Sequence, residues 1–268
     1  MKKIVSVSAG CTALLALIAW LAWRPAPQRV LLIQDERPPV EVLADFLEDR
    51  GGLEVSLVEQ ETLPDDLSAY DAVLMYVSSD LTEAAERRII DYTEGGGRLV
   101  LLHHSISSGK VDHERYFDFL GLHLDVPEEP SEPVEPGGGY GYRHHITLTL
   151  VNLQPHHYIT NHEVDWDETV AYTSSDAPSV EAHFPAISLE GSEVYMNHKF
   201  TDGREKTVLL GMKYYDDRVD ALFMQDRAAW IKARGAGEVI YFMPGHVASD
   251  FAHPALAQMI LNSITWQP

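Results

Sequence analysis

The sequence holds a single cysteine, Cys11, among 268 residues. No intramolecular disulfide and no all-cysteine zinc site can form from it. Cys11 also lies inside an apolar stretch, which speaks against a catalytic thiol. Positive charge is scarce: 20 Lys+Arg face 41 Asp+Glu, a formal net charge of -21. A chain this acidic cannot neutralise a phosphate backbone, which excludes a general nucleic-acid binder. It also disfavours docking of the folded part on an anionic membrane surface. Several signatures are missing as well. No Gly-x-Gly-x-x-Gly follows the first apolar strand, where Gln34-Asp35-Glu36-Arg37 stands instead, so a nucleotide cofactor is not expected. No Gly-x-Ser-x-Gly elbow surrounds Ser105. No histidine pair has the HExxH spacing of zincins. What is present, 45% hydrophobic and 23% charged, is the composition of a globular protein.

Met1-Lys2-Lys3 precedes an uncharged run over residues 4–23. Twenty helical residues span ~30 Å, the thickness of a bilayer core. Trp20 and Trp23 stand where interfacial aromatics collect, and Lys2 and Lys3 favour the cytoplasmic side. The far end of the run offers few small residues for signal cleavage. A lipoprotein would use Ser8-Ala9-Gly10-Cys11, but only residues 4–7 separate that motif from Lys3. Residues 1–23 therefore read as an uncleaved signal anchor, with the membrane as a partner through residues 4–23. Residues 24–28, with Arg24-Pro25-Ala26-Pro27, read as a short stiff linker. Residues 29–268 read as one large domain on the extracytoplasmic side.

Residues 29–34, 53–58, 71–77 and 98–102 are short apolar runs of the kind found in strands buried on both faces. Between them, residues 40–50 and 81–93 carry a helical period. The second has Asp80 or Thr82 as cap and Gly95-Gly96-Gly97 as stop. Residues 112–120 also look helical, with His113 on an exposed face. This alternation predicts an α/β fold: a mostly parallel sheet with right-handed crossovers and helices on both faces. Residues 125–136, rich in acids and prolines, read as a solvated loop. Residues 145–150, 170–173, 193–197 and 207–212 read as shorter strands. Residues 238–243 form a last buried strand that exits through Pro244-Gly245-His246, and residues 253–266 a closing helix.

Two of these strands end in histidine, one at His103-His104 and one at His246. Parallel strands deliver their carboxyl ends to one rim, where ligands of open α/β sheets bind. A lone histidine there is well explained by a backbone hydrogen bond; two on one rim point to a site. Histidine supplies both acid–base chemistry near neutral pH and metal ligation. His103, His104 and His246 are thus the catalytic candidates, with Ser105 beside them in the turn. His103 and His246 are the candidate ligands should a divalent metal bind. Of the adjacent pairs His144-His145 and His156-His157, alternation on a strand allows at most one member each to serve a given site. Asp165, Asp167 and Glu168 around Trp166 read, on spacing alone, as a solvated acidic turn.

Several of these segments together resemble the trehalose-utilisation (ThuA-like) family. They are Tyr70-Asp71-Ala72-Val73, Gly95-Gly96-Gly97-Arg98 running to His103, and Ala229-Trp230 ahead of Gly235-x-Gly237-Glu238. Gly245-His246, His253-Pro254 and Ile264-x-Trp266 complete the set, and His156-His157-Tyr158-Ile159-Thr160 and Asp167-Glu168 are similar to its central segments. The resemblance implies a flavodoxin-like, class I glutamine amidotransferase-like fold. It implies a role in carbohydrate metabolism, with trehalose or keto-sugar derivatives as the substrate class. It brings His157 and Glu168 to the site, and in a sugar pocket Tyr172 and Trp230 would hold the ligand. His103-His104-Ser105 stands where an amidotransferase has its cysteine, so glutamine hydrolysis is not expected. Two departures are Asp35-Glu36-Arg37 after the first strand, where many members carry histidine, and His157-Tyr158 in place of His-Pro. The expected function is a membrane-anchored, exported domain that processes a small-molecule sugar or glycoside at a histidine-rich strand-end site. The alternative is a non-catalytic sugar-binding or scaffolding domain of an envelope complex.

Overall fold

The parallel core starts with β1 (Arg29–Gln34), β2 (Glu54–Val58), β3 (Ala72–Tyr76) and β4 (Arg98–Leu102), paired in the order β2-β1-β3-β4. The computed structural model describes residues 27–127, 139–177 and 181–267. The expected membrane anchor at residues 4–23 and most of the acidic loop lie outside them. Among the described residues, no helix is long and apolar enough to cross a membrane.

Helix α1 (Arg37–Gly51) begins with Pro38 and Pro39 in its first turn, where no intrahelical N–H is needed. It stops at Gly52, whose φ of 62° is open to glycine without a Cβ penalty. Helix α2 (Glu83–Glu94) is capped by Thr82, whose side-chain oxygen accepts from the Ala85 N–H at 3.1 Å. Helix α3 (Glu114–Leu120) follows, then β5 (Leu122–His123). The side chains of β3 are all buried, which requires cover on both faces of the sheet. Helix α2 packs on β4.

The second half of the chain differs from the mostly parallel sheet expected. It contains β6 (Gly141–Asn152), α4 (Tyr158–Asn161), β7 (Glu168–Thr173), β8 (Glu181–Met196), β9 (Lys199–Phe200), β10 (Lys206–Asp216) and β11 (Ala221–Arg234). Then come β12 (Gly237–Phe242), α5 (Ala248–Ala252) and α6 (Pro254–Thr265), the last two packed with α1. The full order is β2-β1-β3-β4-β12-β11-β10-β6-β8-β7. Strand β12 lies parallel to β4, so the first five positions follow flavodoxin-like winding. From β11 outward every pairing is antiparallel. The cause is connectivity: strands joined by short turns, as β10 is to β11, can only run antiparallel.

Two bulges shape the β6–β8 ribbon. His144 pairs with Glu193 but Ile146 pairs with Ser192, leaving His145 as an extra residue at φ 58°. Leu148 then pairs with Leu189, leaving extra chain on β8 around Gly191 at φ 69°. Bulges bend a ribbon and sharpen its twist. Here they carry its end back toward the parallel half.

Candidate functional site

His103 leaves β4 directly, with a left-handed φ of 47°. Its ring is fully buried, and Nδ1 donates to the Met243 carbonyl at 2.6 Å. A carbonyl only accepts, so the proton sits on Nδ1 and Nε2 is turned to Glu193, with Oε2 at 2.9 Å. His104 stands beside it, ring centroids 4.1 Å apart. Burial first, and the neighbouring His103 second, push the His104 pKa down to about 3, so its imidazole is neutral. Its Nδ1 is buried without a hydrogen-bond partner among the described residues. Buried Lys110 braces this turn: its ammonium donates to the carbonyls of Ser78 and His104, both at 3.2 Å.

His246 arrives from the end of β12, after Gly245 at φ 127°. A Cβ on Gly245 would meet the Phe251 ring at 2.5 Å, so only glycine allows this close exit. The His246 N–H donates to Asp250 at 2.9 Å, and its ring Nδ1 comes within 3.0 Å of the same Glu193 oxygen. That contact raises the His246 pKa against the opposing effect of burial. The Tyr195 hydroxyl donates to this oxygen as well, at 3.0 Å. Burial alone would push the Glu193 carboxyl up, but the His103 and His246 rings against it outweigh burial and hold it well below the usual carboxylate range. One ligand atom from each of His103, His104, Glu193 and His246 lies within 4.8 Å of the other three.

Five strand-to-strand steps separate β4 from β8 in the sheet order. In a flat sheet that would be ~24 Å at the usual spacing. The 2.9 Å contact between His103 and Glu193 therefore requires the bent ribbon to curl over the carboxyl-end rim. Ser192 fastens it there by donating to Asp250 at 2.7 Å.

The family profile described as ThuA, trehalose utilisation, matches residues 31–267. This chain belongs to the ThuA family. Among solved structures, a putative ThuA-like protein from Bacteroides uniformis ATCC 8492 is 15% identical with a TM-score of 0.60, covering 91% of this chain and 93% of its own. A β-galactosidase from Bacillus circulans sp. alkalophilus is 14% identical with a TM-score of 0.50, over 89% of this chain and 31% of its own. These likenesses concern the fold. No curated protein matches the sequence.

In this ThuA chain the structure brings His103, His104 and His246 together, with His103 and His246 ring centroids 5.4 Å apart. Ser105 is adjacent but fully buried, and its hydroxyl donates to the Met75 carbonyl at 2.6 Å. It ties β3 to the turn and has no access to a substrate, which corrects its reading as a catalytic candidate. The four expected sugar contacts also fall elsewhere. His157 caps α4, its Nδ1 accepting from the Ile159 N–H at 3.2 Å, with its ring against Trp266. Glu168 is exposed at the outer edge strand and accepts from Ser188 at 2.8 Å. Tyr172 is buried in a separate apolar cluster and donates to Asp226 at 2.7 Å. Trp230 is fully buried one layer beneath the rim, packed on Tyr241, whose hydroxyl donates to the His103 carbonyl at 3.2 Å.

Glu193 carried no functional weight in the sequence reading. Its signal was an acid inside the buried run Glu193-Val194-Tyr195-Met196. The bulge at His145 also breaks the alternation rule for His144-His145. Both rings reach His246, at centroid distances of 6.4 and 6.5 Å.

The set fits a divalent ion. Three imidazoles and one carboxylate suit first-row transition metals. The unpartnered His104 nitrogen is the kind of buried polar atom that a ligand satisfies. The Met243 carbonyl fixes the His103 ring as outer partners of metal ligands do. With Nδ1–H committed to Met243, the contact between Nε2 and Glu193 is attractive only with a proton or a cation between them.

Proposed function

We propose that this ThuA-family protein processes a neutral sugar or glycoside of the trehalose or keto-sugar type at the His103–His104–Glu193–His246 centre, with a divalent metal bound there. The observation that carries the reading is the convergence of four ligand atoms within 4.8 Å of one another at the mouth of an α/β sheet. A bound divalent ion supplies Lewis acidity toward a sugar carbonyl or hydroxyl.

The chain's own residues divide the remaining work. Met243 and Glu193 fix the His103 ring from its two sides. Tyr195 and His103 hold the Glu193 carboxylate in place. His246, the most exposed of the four, is the group able to exchange a proton with a substrate hydroxyl. The acidic balance of the chain, 20 Lys+Arg against 41 Asp+Glu, suits a neutral substrate rather than a phosphorylated one. The uncharged run over residues 4–23 supports a membrane anchor with the domain on the outer side.

The deciding experiment is calorimetric titration of the full chain with Zn2+ or Mn2+, followed by turnover of a sugar and keto-sugar panel with and without the ion. Metal binding lost in His246→Ala together with metal-dependent turnover supports the reading. Saturable sugar binding without turnover would favour the sugar-binding alternative. N-terminal sequencing of membrane-extracted protein tests the anchor: a start near Arg24, or a lipidated Cys11, would refute it.

A further inference from the structure

Of the four groups at the centre, His246 alone follows a glycine directly. Gly245, at φ 127°, has no Cβ to restrict its dihedrals, so local sterics do not fix the plane of the Gly245–His246 peptide. Buried side chains fix it instead, from both edges. The Tyr76 hydroxyl, at the end of β3, donates to the Gly245 carbonyl at 2.9 Å. Asp250 in α5 accepts from the His246 N–H of that same peptide unit at 2.9 Å, and from the Gly245 N–H at 3.2 Å. Tyr76 and Asp250 are both buried, so water does not compete for these bonds. Burial also pushes the Tyr76 phenol up, which keeps it a donor near neutral pH. Phe251 fills the space beside Gly245 and packs edge-on against the Tyr76 ring, centroids 5.7 Å apart, which holds the phenol in that direction. The same Asp250 oxygen takes the hydroxyl of Ser192, the neighbour of Glu193, and so sets His246 in register with that carboxylate.

We propose that Tyr76 and Asp250 are the positioning residues of His246, clamping its peptide unit in the one orientation that aims the ring at the centre. Neither supplies one of the four converging ligand atoms; each acts through the His246 backbone. A peptide bonded at both edges must break both bonds to turn over, and each break strands a buried polar group. Held at one edge only, the same peptide turns at the loss of a single bond. The effect on metal rests on the metal-binding reading above; the clamp on the peptide does not.

Tyr76→Phe removes only the hydroxyl and keeps the ring. Ser105→Ala is the matched control, because it too removes a hydroxyl donor from a buried carbonyl of the rim, that of Met75. In the metal-free full chain labelled with 15N-histidine, the His246 amide should give one line in the parent and in Ser105→Ala, and should broaden or split in Tyr76→Phe. Asp250→Asn, which keeps the shape and weakens the N–H side of the clamp, should act in the same direction. Zn2+ affinity by calorimetry should fall about 10–100-fold in Tyr76→Phe, the range for outer partners of metal ligands, and keep the parent value in Ser105→Ala. A single sharp His246 line in both Tyr76→Phe and Asp250→Asn overturns the clamp, whatever happens to the melting temperature. A broadened line with unchanged Zn2+ affinity, or an equal fall in Ser105→Ala, overturns the positioning role. A broadened line in Tyr76→Phe, with no Zn2+ bound even by the parent chain, sinks the metal reading and leaves the clamp standing.

Discussion

Glu193 Oε2 lies 2.9 Å from His103 Nε2, although 90 residues separate the two in the chain. This one carboxylate gathers His103, His246 and Tyr195 on a single oxygen. Glu193→Gln keeps the volume and removes the charge. Divalent-metal affinity should fall by more than the roughly 10–100-fold that loss of a metal ligand's outer partner costs. Calorimetric titration reads this directly, and an unchanged affinity would remove Glu193 from the centre.

Ser105→Ala should leave activity intact and lower stability. Its hydroxyl is the donor to a buried Met75 carbonyl, and stranding such an acceptor costs about 1–3 kcal/mol. Denaturant unfolding beside a steady-state assay separates the two effects. Native stability with abolished turnover would restore a catalytic role to the serine.

His113 bridges two acids, with Nδ1 2.7 Å from Glu86 and Nε2 2.7 Å from Asp80. It is therefore no neutral surface position, contrary to its sequence reading as an exposed helical residue. Burial works to lower its pKa, but the hydrogen bonds to Glu86 and Asp80 prevail and raise it. The stabilisation from a raised histidine pKa is complete below the unfolded value of about 6.5 and is lost as pH rises through the folded one. His113→Ala should consequently cost more stability at pH 6 than at pH 9, measured by urea unfolding at both. A pH-independent cost would refute the bridge.

Chelation should leave the domain folded. Its core runs continuously from β1 to α6, so folding does not depend on an ion as it does in small zinc modules. EDTA should remove only the stabilisation due to ligand binding, about 3–4 kcal/mol at saturating metal. Loss of the far-ultraviolet circular dichroism of helix and sheet at 25 °C would contradict this.

Strands β1, β3, β4 and β12 were legible because each is a short, nearly continuous apolar run that is mostly buried, and the half-buried edge strand β2 because Val55, Leu57 and Val58 mark it. The antiparallel half was not, for reasons visible in its residues. Strand β11 buries Asp226 and Lys232 among its apolar positions, which hides the strand from any hydrophobic pattern. His145 and Gly191 interrupt the alternation of β6 and β8, so those strands read as shorter than they are. The three histidines at the rim follow from topology, since parallel strands end on one edge. Glu193 does not, because it reaches that edge only through a bend set by the two bulges. His157, Glu168, Tyr172 and Trp230 came from resemblance or residue type, and neither carries information about the curl.

The curled β6–β8 ribbon has a kinetic consequence. Three of the four groups around the centre sit on the winding half of the sheet, while the fourth rides on a flap of antiparallel chain. An occupant held by all four can leave only when that flap lifts. Its residence time is then governed by local opening of the ribbon, well below the free energy of global unfolding. Amide exchange at Glu193 and Tyr195 should slow on metal addition while that of β3 stays the same, making the ribbon's breathing the clock of the site.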